Sequence, residues 1–395
     1  MTLTDAQNIF SSILSPYSYE DFFNQIVGHK PLALLNNEDH PRANILGHFP
    51  KDVILSTYEK HAPLLTSHIH TATVAPPKAK AVESPQAFQS LINEYHKTGY
   101  TVRVPDASNL SPALNEFNRA LEVILETPVD VVVFWSDADA KAPIHHDEVD
   151  VIVIQLRGSK KWYISDEPAS LPNKWKSHGE QPPELGRYST YDVKQGDLLY
   201  IPRGTTHTVH STSESIHLSI GFVPVTVRDA INSVLDQLSE LDKPLRADLG
   251  VRADDLAQKK NLTAIFEQIK SGIDKLNTQA QSDAFIRDAL ALRRSRMIFD
   301  LPKLTQASLM QPISSTTQVK HTPLAVAQLV TTADIIDFRQ PGEQLLIHKG
   351  VEECMRFIMN TSTFFVHQIP GNVGDDIRLS LTNKLLSNGF LEVAK

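Results

Sequence analysis

The chain has 395 residues, of which 41% are hydrophobic and 21% charged, a composition typical of globular proteins with two or three domains. Its single cysteine, Cys354, excludes an internal disulfide. The net charge of −8 argues against nucleic-acid binding, which favours a basic surface. No apolar run approaches the ~20 residues of a membrane helix, and the N-terminus lacks a secretion signal. We therefore expect a cytoplasmic protein without a membrane segment.

Residues 1–125 are predicted to be mostly helical, because apolar residues recur there at three- and four-residue spacing. The clearest segments are DAQNIFSSIL, YEDFFNQIV, PQAFQSLINEYHKT and PALNEFNRALEVIL. The stretch APPKAKAVESP interrupts them and is typical of a loop.

Near Val129 the pattern changes to short β-branched and aromatic runs separated by Gly, Pro and Asp. These runs are VDVVVFWS, VDVIVIQLRG, KKWYIS, YSTYDV, DLLYIP, HTVHST and SIHLSIGF. About seven strands at this spacing predict a sandwich or barrel.

After Val225 the helical pattern returns in VRDAINSVLDQLSEL, NLTAIFEQIKSGIDKL and SDAFIRDALALRRSRM, which are predicted to form a bundle or a dimer interface. From about residue 304 the pattern is mixed. There DIRLSLTNKLLSNGFLEV predicts a helix, a stop at Gly389 and a strand, as in a small winged-helix-like module.

Two histidines and an aspartate stand at the start of the apolar run HHDEVDVIVIQL. On a strand, residues two apart share a face, so His145 and Asp147 are expected to project together while His146 points away. An imidazole and a carboxylate from one strand supply two ligands of the 2-His-1-carboxylate triad that binds iron(II). The other interpretation is a polar strand end without a metal.

The third ligand must come from another strand, and GDLLYIPRGTTHTVH offers His207 at the start of one. His210 and His217 are rivals for this position. Alternation turns His210 away from the face of His207, whereas His217 lies inside the strand SIHLSIGF. His178, two residues before Glu180 in a polar loop, is expected at the surface.

In GSKKWYIS, alternation places Lys160 on one face with Trp162 and Ile164. An interior ammonium without a partner is costly, but a bound anion such as a cosubstrate carboxylate would complete the pair. The alternative is that Lys160 lies at a strand end and extends to water.

Together, the motifs HHDEVDVIVIQLRGSKKW, GDLLYIPRGTTH and SIHLSIGF resemble the JmjC-type cupin oxygenases that depend on 2-oxoglutarate, and most closely their ribosomal oxygenase branch. The resemblance covers about residues 129–222, and the order of segments along the whole chain also fits. The charged approach SDADAKAPIHHD and the link RGTTH depart from the family pattern. Both border the expected substrate entrance, so they bear on the substrate.

The resemblance implies that His145, Asp147 and His207 bind iron(II), that Lys160 pairs with the distal carboxylate of 2-oxoglutarate, and that Ser136 contacts the cosubstrate. It also implies an α+β fold with a double-stranded β-helix (jelly-roll or cupin) core. The domains expected from it are a catalytic domain over 1–225, with helices over 1–125 and a jelly roll over 126–225, a helical dimerisation region over 226–303, and a winged-helix-like domain over 304–395.

The function implied is hydroxylation of an arginine or histidine side chain of a protein, such as a ribosomal protein, by a homodimeric enzyme. Three alternatives stay open. They are the same chemistry on a peptide or metabolite, a metal cupin that does not use 2-oxoglutarate, and a non-catalytic interaction protein that uses the winged-helix-like module. In that module Asp375 and Asp376 offset Arg378 and Lys384, which favours protein contact over DNA contact.

Overall fold

The computed structural model describes residues 1, 3–35, 38–68, 75–77, 82–125, 127–169, 171, 184–222, 225–247, 262–296, 313–322, 325, 327–331, 335–340 and 343–394. The chain divides into two compact units, Met1–Pro224 and Val225–Lys395. Each unit has a hydrophobic core of its own.

The first unit combines helices with antiparallel strands. Its helices are α1 (Leu3–Leu14), α2 (Tyr19–Gln25), α3 (Pro50–Ser56), α4 (Tyr58–His61), α5 (Pro85–Lys97) and α6 (Pro112–Leu125). Its strands are β1 (Leu32–Leu34), β2 (Thr66–His68), β3 (Thr101–Val104), β4 (Val129–Ser136), β5 (Asp150–Arg157), β6 (Ser159–Ser165), β7 (Tyr188–Lys194), β8 (Leu198–Ile201), β9 (His207–Ser211) and β10 (Ser215–Phe222).

These strands form two antiparallel sheets. The larger sheet has seven strands in the order β1-β8-β5-β10-β4-β3-β2, and the smaller has three in the order β7-β6-β9. Non-sequential neighbours such as β5 and β10, or β6 and β9, are typical of a jelly roll. The predicted α+β fold with an antiparallel cupin core is therefore confirmed.

The larger sheet is buried on both faces, and alternation along β4 shows how. Val131, Val133 and Trp135 point to one face and belong to a core that also contains Phe10 and Phe117 from the helices. Residues of even number on β4 point to the other face, which is turned to the smaller sheet. Because each face has its own partner layer, β5 carries an almost continuous apolar run.

A second, smaller core lies between the two sheets. Its buried members come from β5, β6, β7 and β8: Val151, Val153, Trp162, Ile164, Val193, Leu199 and Ile201. It occupies only some of the space between the sheets, and a cavity occupies the rest.

Residues 1–125 are less uniformly helical than predicted. The strands β1, β2 and β3 lie in this segment of the chain and extend the larger sheet at both edges. The pairing of Val102 with Trp135 attaches β3 to β4. Each of these strands has three or four residues, which is too short for a period-two pattern to stand out from a helical context.

In the described ranges, the second unit begins with the helices α7 (Val227–Leu241), α8 (Leu262–Gln279) and α9 (Asp283–Arg296). It continues with β11 (Gln318–His321), β12 (Gln328–Thr331), β13 (Ile335–Gln340), β14 (Glu343–His348), α10 (Glu352–Asn360), β15 (Thr363–Phe365), α11 (Asp375–Ser387) and β16 (Leu391–Val393). The strands form two sheets, β15-β11-β16 and β12-β13-β14.

The end of the chain follows the predicted order of helix, glycine stop and strand. Helix α11 ends just before Gly389, whose φ of +77° is the left-handed conformation that suits glycine after a helix. The subdivision into a dimerisation region and a winged-helix-like domain stays a prediction. No helix in the described ranges combines the length and apolar character needed to cross a bilayer.

Candidate metal centre

The side chains of His145, Asp147 and His207 come together between the two sheets. One ligand atom from each lies within 4.8 Å of the others. His207 Nε2 is 3.6 Å from Asp147 Oδ2, and the rings of His145 and His207 have centroids 4.3 Å apart. This is the set that the sequence predicted from two distant segments.

The backbone brings these residues together in a way that strand alternation alone did not predict. Strand β5 starts only at Asp150, so His145 and Asp147 precede it. His145 instead forms a two-way bridge with His207, in which each amide donates to the other residue's carbonyl, at 3.0 and 2.8 Å. The shared direction of His145 and Asp147 therefore depends on a contact with β9.

A tight turn holds the aspartate side of the site. The amide of Thr205 donates to the carbonyl of Pro202, and Gly204, at the third position of this turn, has a φ of +78°, as a type II turn requires. The Gly204 amide then donates to the carbonyl of Asp147 at 2.9 Å. The RGTT segment thus fixes both the start of β9 and the backbone of Asp147.

Backbone carbonyls fix the tautomers of both histidines. His145 Nδ1 is 2.8 Å from the carbonyl oxygen of Pro143, and His207 Nδ1 is 3.0 Å from that of Thr205. A carbonyl only accepts, so each Nδ1 must carry the proton and donate it. The Nε2 atoms are left with lone pairs, as metal coordination requires.

The protonation state of His207 also suits a metal ligand. Burial and the nearby His145 lower the pKa of His207 to about 4, against a smaller opposite effect of Asp147. The ring is therefore neutral near pH 7. Two imidazoles and a carboxylate are a donor set suited to iron(II), so the residues present fit the metal that the sequence motifs imply.

Lys160 lies deep in the same space and is 2% exposed, so the alternative in which it extends to water is wrong. Its Nζ donates to Ser136 Oγ at 2.8 Å, and Thr101 Oγ1 donates to the same oxygen at 2.8 Å. Burial lowers the pKa of Lys160 to about 7. Among the described residues no carboxylate forms an ion pair with it, which leaves the amine suited to an anionic ligand.

One cavity of about 280 Å³ joins the lysine to the three candidate ligands. Apolar side chains and polar or charged side chains contribute to its wall in similar numbers, which suits a small ligand that carries polar groups. Its lining includes His145, Asp147, His207, Lys160, Ser136, Thr101, Phe134, Val151, Val153, Trp162, Val209 and His217.

Neither of the other two histidines considered for the third ligand position belongs to the group of three ligand atoms. His210 points away from the cavity, and its Nε2 lies 3.5 Å from Asp139 Oδ1. His217 lines the cavity but does not belong to the group of three ligand atoms. His178 and Glu180 lie outside the described residues.

Sequence reasoning missed the residues that β2 and β3 contribute to the site. The ring of His68 has its centroid 5.9 Å from that of His145 and 5.5 Å from that of Phe134. Arg103 lines the cavity as well, and its Nη2 lies 3.9 Å from Asp130 Oδ2. The alternation in TSH and TVRV was the available signal, but neither run is long enough to be distinctive.

Comparisons with known proteins agree with this geometry. Residues 109–230 match the family model described as JmjC domain. The chain is 28% identical over 247 residues to the bifunctional lysine-specific demethylase and histidyl-hydroxylase NO66 of Dictyostelium discoideum, covering 60% of this chain and 47% of that protein. It is 25% identical over 221 residues to ribosomal oxygenase 2 of Rattus norvegicus, covering 54% of this chain and 47% of that protein. The chain thus spans about half the length of these relatives.

Among solved structures, YcfD, a ribosomal oxygenase from Escherichia coli in complex with cobalt and 2-oxoglutarate, has the same fold. The TM-score is 0.59 at 14% identity, covering 96% of this chain and 99% of that chain. The sheets and the site are those of a cupin-like fold, and residues 109–230 within it match a JmjC domain. The chain is similar in sequence to NO66 and to ribosomal oxygenase 2.

Proposed function

We propose that the chain is an Fe(II)- and 2-oxoglutarate-dependent oxygenase that hydroxylates an arginine or histidine side chain of a protein, with a ribosomal protein as the expected substrate. The observation that carries this proposal is the convergence of His145, Asp147 and His207 in one cavity with a buried lysine. Iron and 2-oxoglutarate, when bound, would supply the activation of dioxygen.

The chain's own residues have separate tasks in this proposal. His145, Asp147 and His207 would hold the metal ion, and a donor set of three protein ligands would leave coordination positions open to small molecules. Lys160 provides the charge for the distal carboxylate of 2-oxoglutarate, and Ser136 positions the lysine through their hydrogen bond.

The metal assignment is tested by comparing two histidines on the same strand. His207→Ala removes a proposed ligand, whereas His210→Ala removes a histidine that points away from the cavity. We expect His207→Ala to abolish both Mn(II) binding in calorimetry and succinate formation from 2-oxoglutarate with Fe(II). His210→Ala should retain both. Equal behaviour of the two variants would contradict the assignment.

The substrate class is supported by what the relatives are called. One is named a histidyl-hydroxylase and others ribosomal oxygenases. A net charge of −8 also suits a cationic partner such as a ribosomal protein. Incubating the enzyme, Fe(II) and 2-oxoglutarate with ribosomes, followed by peptide mass spectrometry, should show a gain of one oxygen atom on arginine or histidine. The His207→Ala variant serves as the blank.

Lysine demethylation is a second candidate, because the same NO66 relative is also named a lysine-specific demethylase. It would replace a methyl group of a methylated lysine peptide with hydrogen, a net loss of CH2, and release formaldehyde, whereas hydroxylation adds an oxygen that remains on the product. If the product is found only among free metabolites, the substrate is a metabolite, and both proposals of a protein substrate are wrong.

We also propose that the chain acts in the cytoplasm as a homodimer, and that its partner is a protein and not a nucleic acid. In this proposal the chain consists of a catalytic domain over 1–225, a dimerisation region over 226–303 and a winged-helix-like domain over 304–395. The absence of a basic excess at net charge −8 supports the choice of a protein partner.

A further inference from the structure

His217 is a buried cavity residue that the proposed metal set does not use. It lies on β10, is 4% exposed and lines the cavity. Its ring stacks on Phe134 of the neighbouring strand, with centroids 5.1 Å apart and planes inclined by 18°. The Nδ1 atom is buried and has no hydrogen-bond partner among the residues that the structure describes.

The neighbours of His217 do not satisfy its ring. Gln155, its partner in the register with β5, donates its side-chain amide to the carbonyl of Arg157 at 2.8 Å, and its Oε1 is itself buried without a partner in the described ranges. Phe134 offers only an aromatic face. Because buried polar groups in folded proteins nearly always have partners, an orphaned imidazole on a cavity wall indicates that a ligand supplies the partner.

Other hydrogen-bond donors surround His217 on the same side of the cavity. Trp162 contacts the imidazole edge-on, with centroids 5.7 Å apart, and its own Nε1 is buried without a partner in the described ranges. An indole nitrogen can only donate. Lys160 lies two residues before Trp162 on the same face. This end of the cavity therefore presents donors and a positive charge, which matches an anion rich in lone pairs.

The sheet register places His217 beside the lysine. Ser136, which accepts from Lys160 Nζ, is opposite Ser215, and Phe134 is opposite His217. His217 is thus one pleat away from the hydroxyl that positions the lysine, on the same sheet face. Burial and the charge of Lys160 lower the pKa of His217 well below its ordinary value. The neutral ring keeps one N–H to donate.

On the basis of the proposed function, we propose that His217 is a specificity-determining residue whose N–H donates to the distal carboxylate of 2-oxoglutarate, alongside Lys160. A carboxylate has about four acceptor sites on two oxygens, more than one ammonium group fills. The histidine therefore selects 2-oxo acids that end in a second carboxylate.

The experiment separates a hydrogen bond from simple packing. The 395-residue chain is loaded with Mn(II), and binding is measured by calorimetry for 2-oxoglutarate and for 2-oxopentanoate, which has the same length but ends in a methyl group. His217→Phe keeps the stacking on Phe134 and removes both ring nitrogens. His217→Asn keeps a donor near the position of Nδ1. Lys160→Met tests the charge that the proposal assumes.

We expect His217→Phe to weaken 2-oxoglutarate binding by about tenfold, since hydrogen bonds to charged groups are the stronger ones, and to leave 2-oxopentanoate unchanged. His217→Asn should stay near the wild type for both acids. An equal loss for the two acids in His217→Phe, or no loss for either, would overturn the role of His217. If Lys160→Met also binds 2-oxoglutarate normally, the proposed function itself fails.

Discussion

At the residue level, Lys160 shows how burial turns an ordinary side chain into a site for an anion. Desolvation is the cause of its lowered pKa, and Ser136 and Thr101 offer it no negative charge. Binding a carboxylate would restore the protonated form, because an opposite charge favours the ammonium. Ligand binding and protonation of Lys160 are therefore linked.

This linkage predicts how 2-oxoglutarate affinity depends on pH. Below about pH 7 the free amine is already protonated, so affinity should be flat. Above its pKa of about 7, binding must take up a proton, and affinity should fall by up to roughly tenfold per pH unit. Lys160→Arg stays protonated throughout and should remove the decline. Titration calorimetry between about pH 6 and pH 9 measures the affinity for 2-oxoglutarate of the wild type and of Lys160→Arg.

A neighbouring lysine provides the control. Lys161 lies on the opposite face of β6 and pairs with Asp192 at 3.3 Å near the surface. Lys161→Ala should keep the affinity and the pH profile of the wild type. If the wild-type affinity does not change above pH 7, burial of Lys160 is not what governs binding.

At the level of elements, the sequence predicted the strands from Val129 onward because they are long, β-branched and punctuated by glycine and proline. It did not predict β1, β2 and β3, whose pairing depends on residues far away in the chain. The same limit explains the site. His145, Asp147 and His207 carry a motif, whereas His68 belongs to a three-residue strand that only the sheet brings near His145.

The turn at Gly204 predicts a link between backbone conformation and metal binding. Gly204→Ala places a side chain on a residue with φ of +78°, at a cost of about 1–3 kcal/mol. The strained residue is the one whose amide donates to the backbone carbonyl of Asp147. We expect a lower melting temperature together with weaker Mn(II) binding, measured by thermal unfolding and calorimetry.

Gly47 is the matched control, because it has a φ of +86° and open space around its Cβ position, and it does not line the cavity. Gly47→Ala should lower the melting temperature by a comparable amount and leave the Mn(II) affinity intact. Similar losses of metal affinity in both variants would mean that general destabilisation, and not the turn, is responsible.

At the level of the whole molecule, the helices of the second unit leave apolar side chains exposed. On α7 these are Val227, Ile231 and Leu235, and on α8 they are Phe266, Ile269 and Ile273. The spacing is four residues on α7, and three and four residues on α8, which puts each set on one helix face. Apolar stripes of this kind commonly mark protein interfaces, which supports the homodimer expected from the sequence.

The homodimer expected from the sequence predicts that charge on these stripes changes the molecular mass of the assembly and not the fold of the chain. We expect Ile231→Glu combined with Ile269→Glu to convert a dimer into a monomer in light scattering after size exclusion, because two copies would bury carboxylates without partners. Far-ultraviolet circular dichroism should stay unchanged. Phe49→Glu, at an exposed apolar residue of the first unit, should leave the mass at that of the wild type. A wild-type chain that runs as a monomer at all concentrations would refute the role given to these helices.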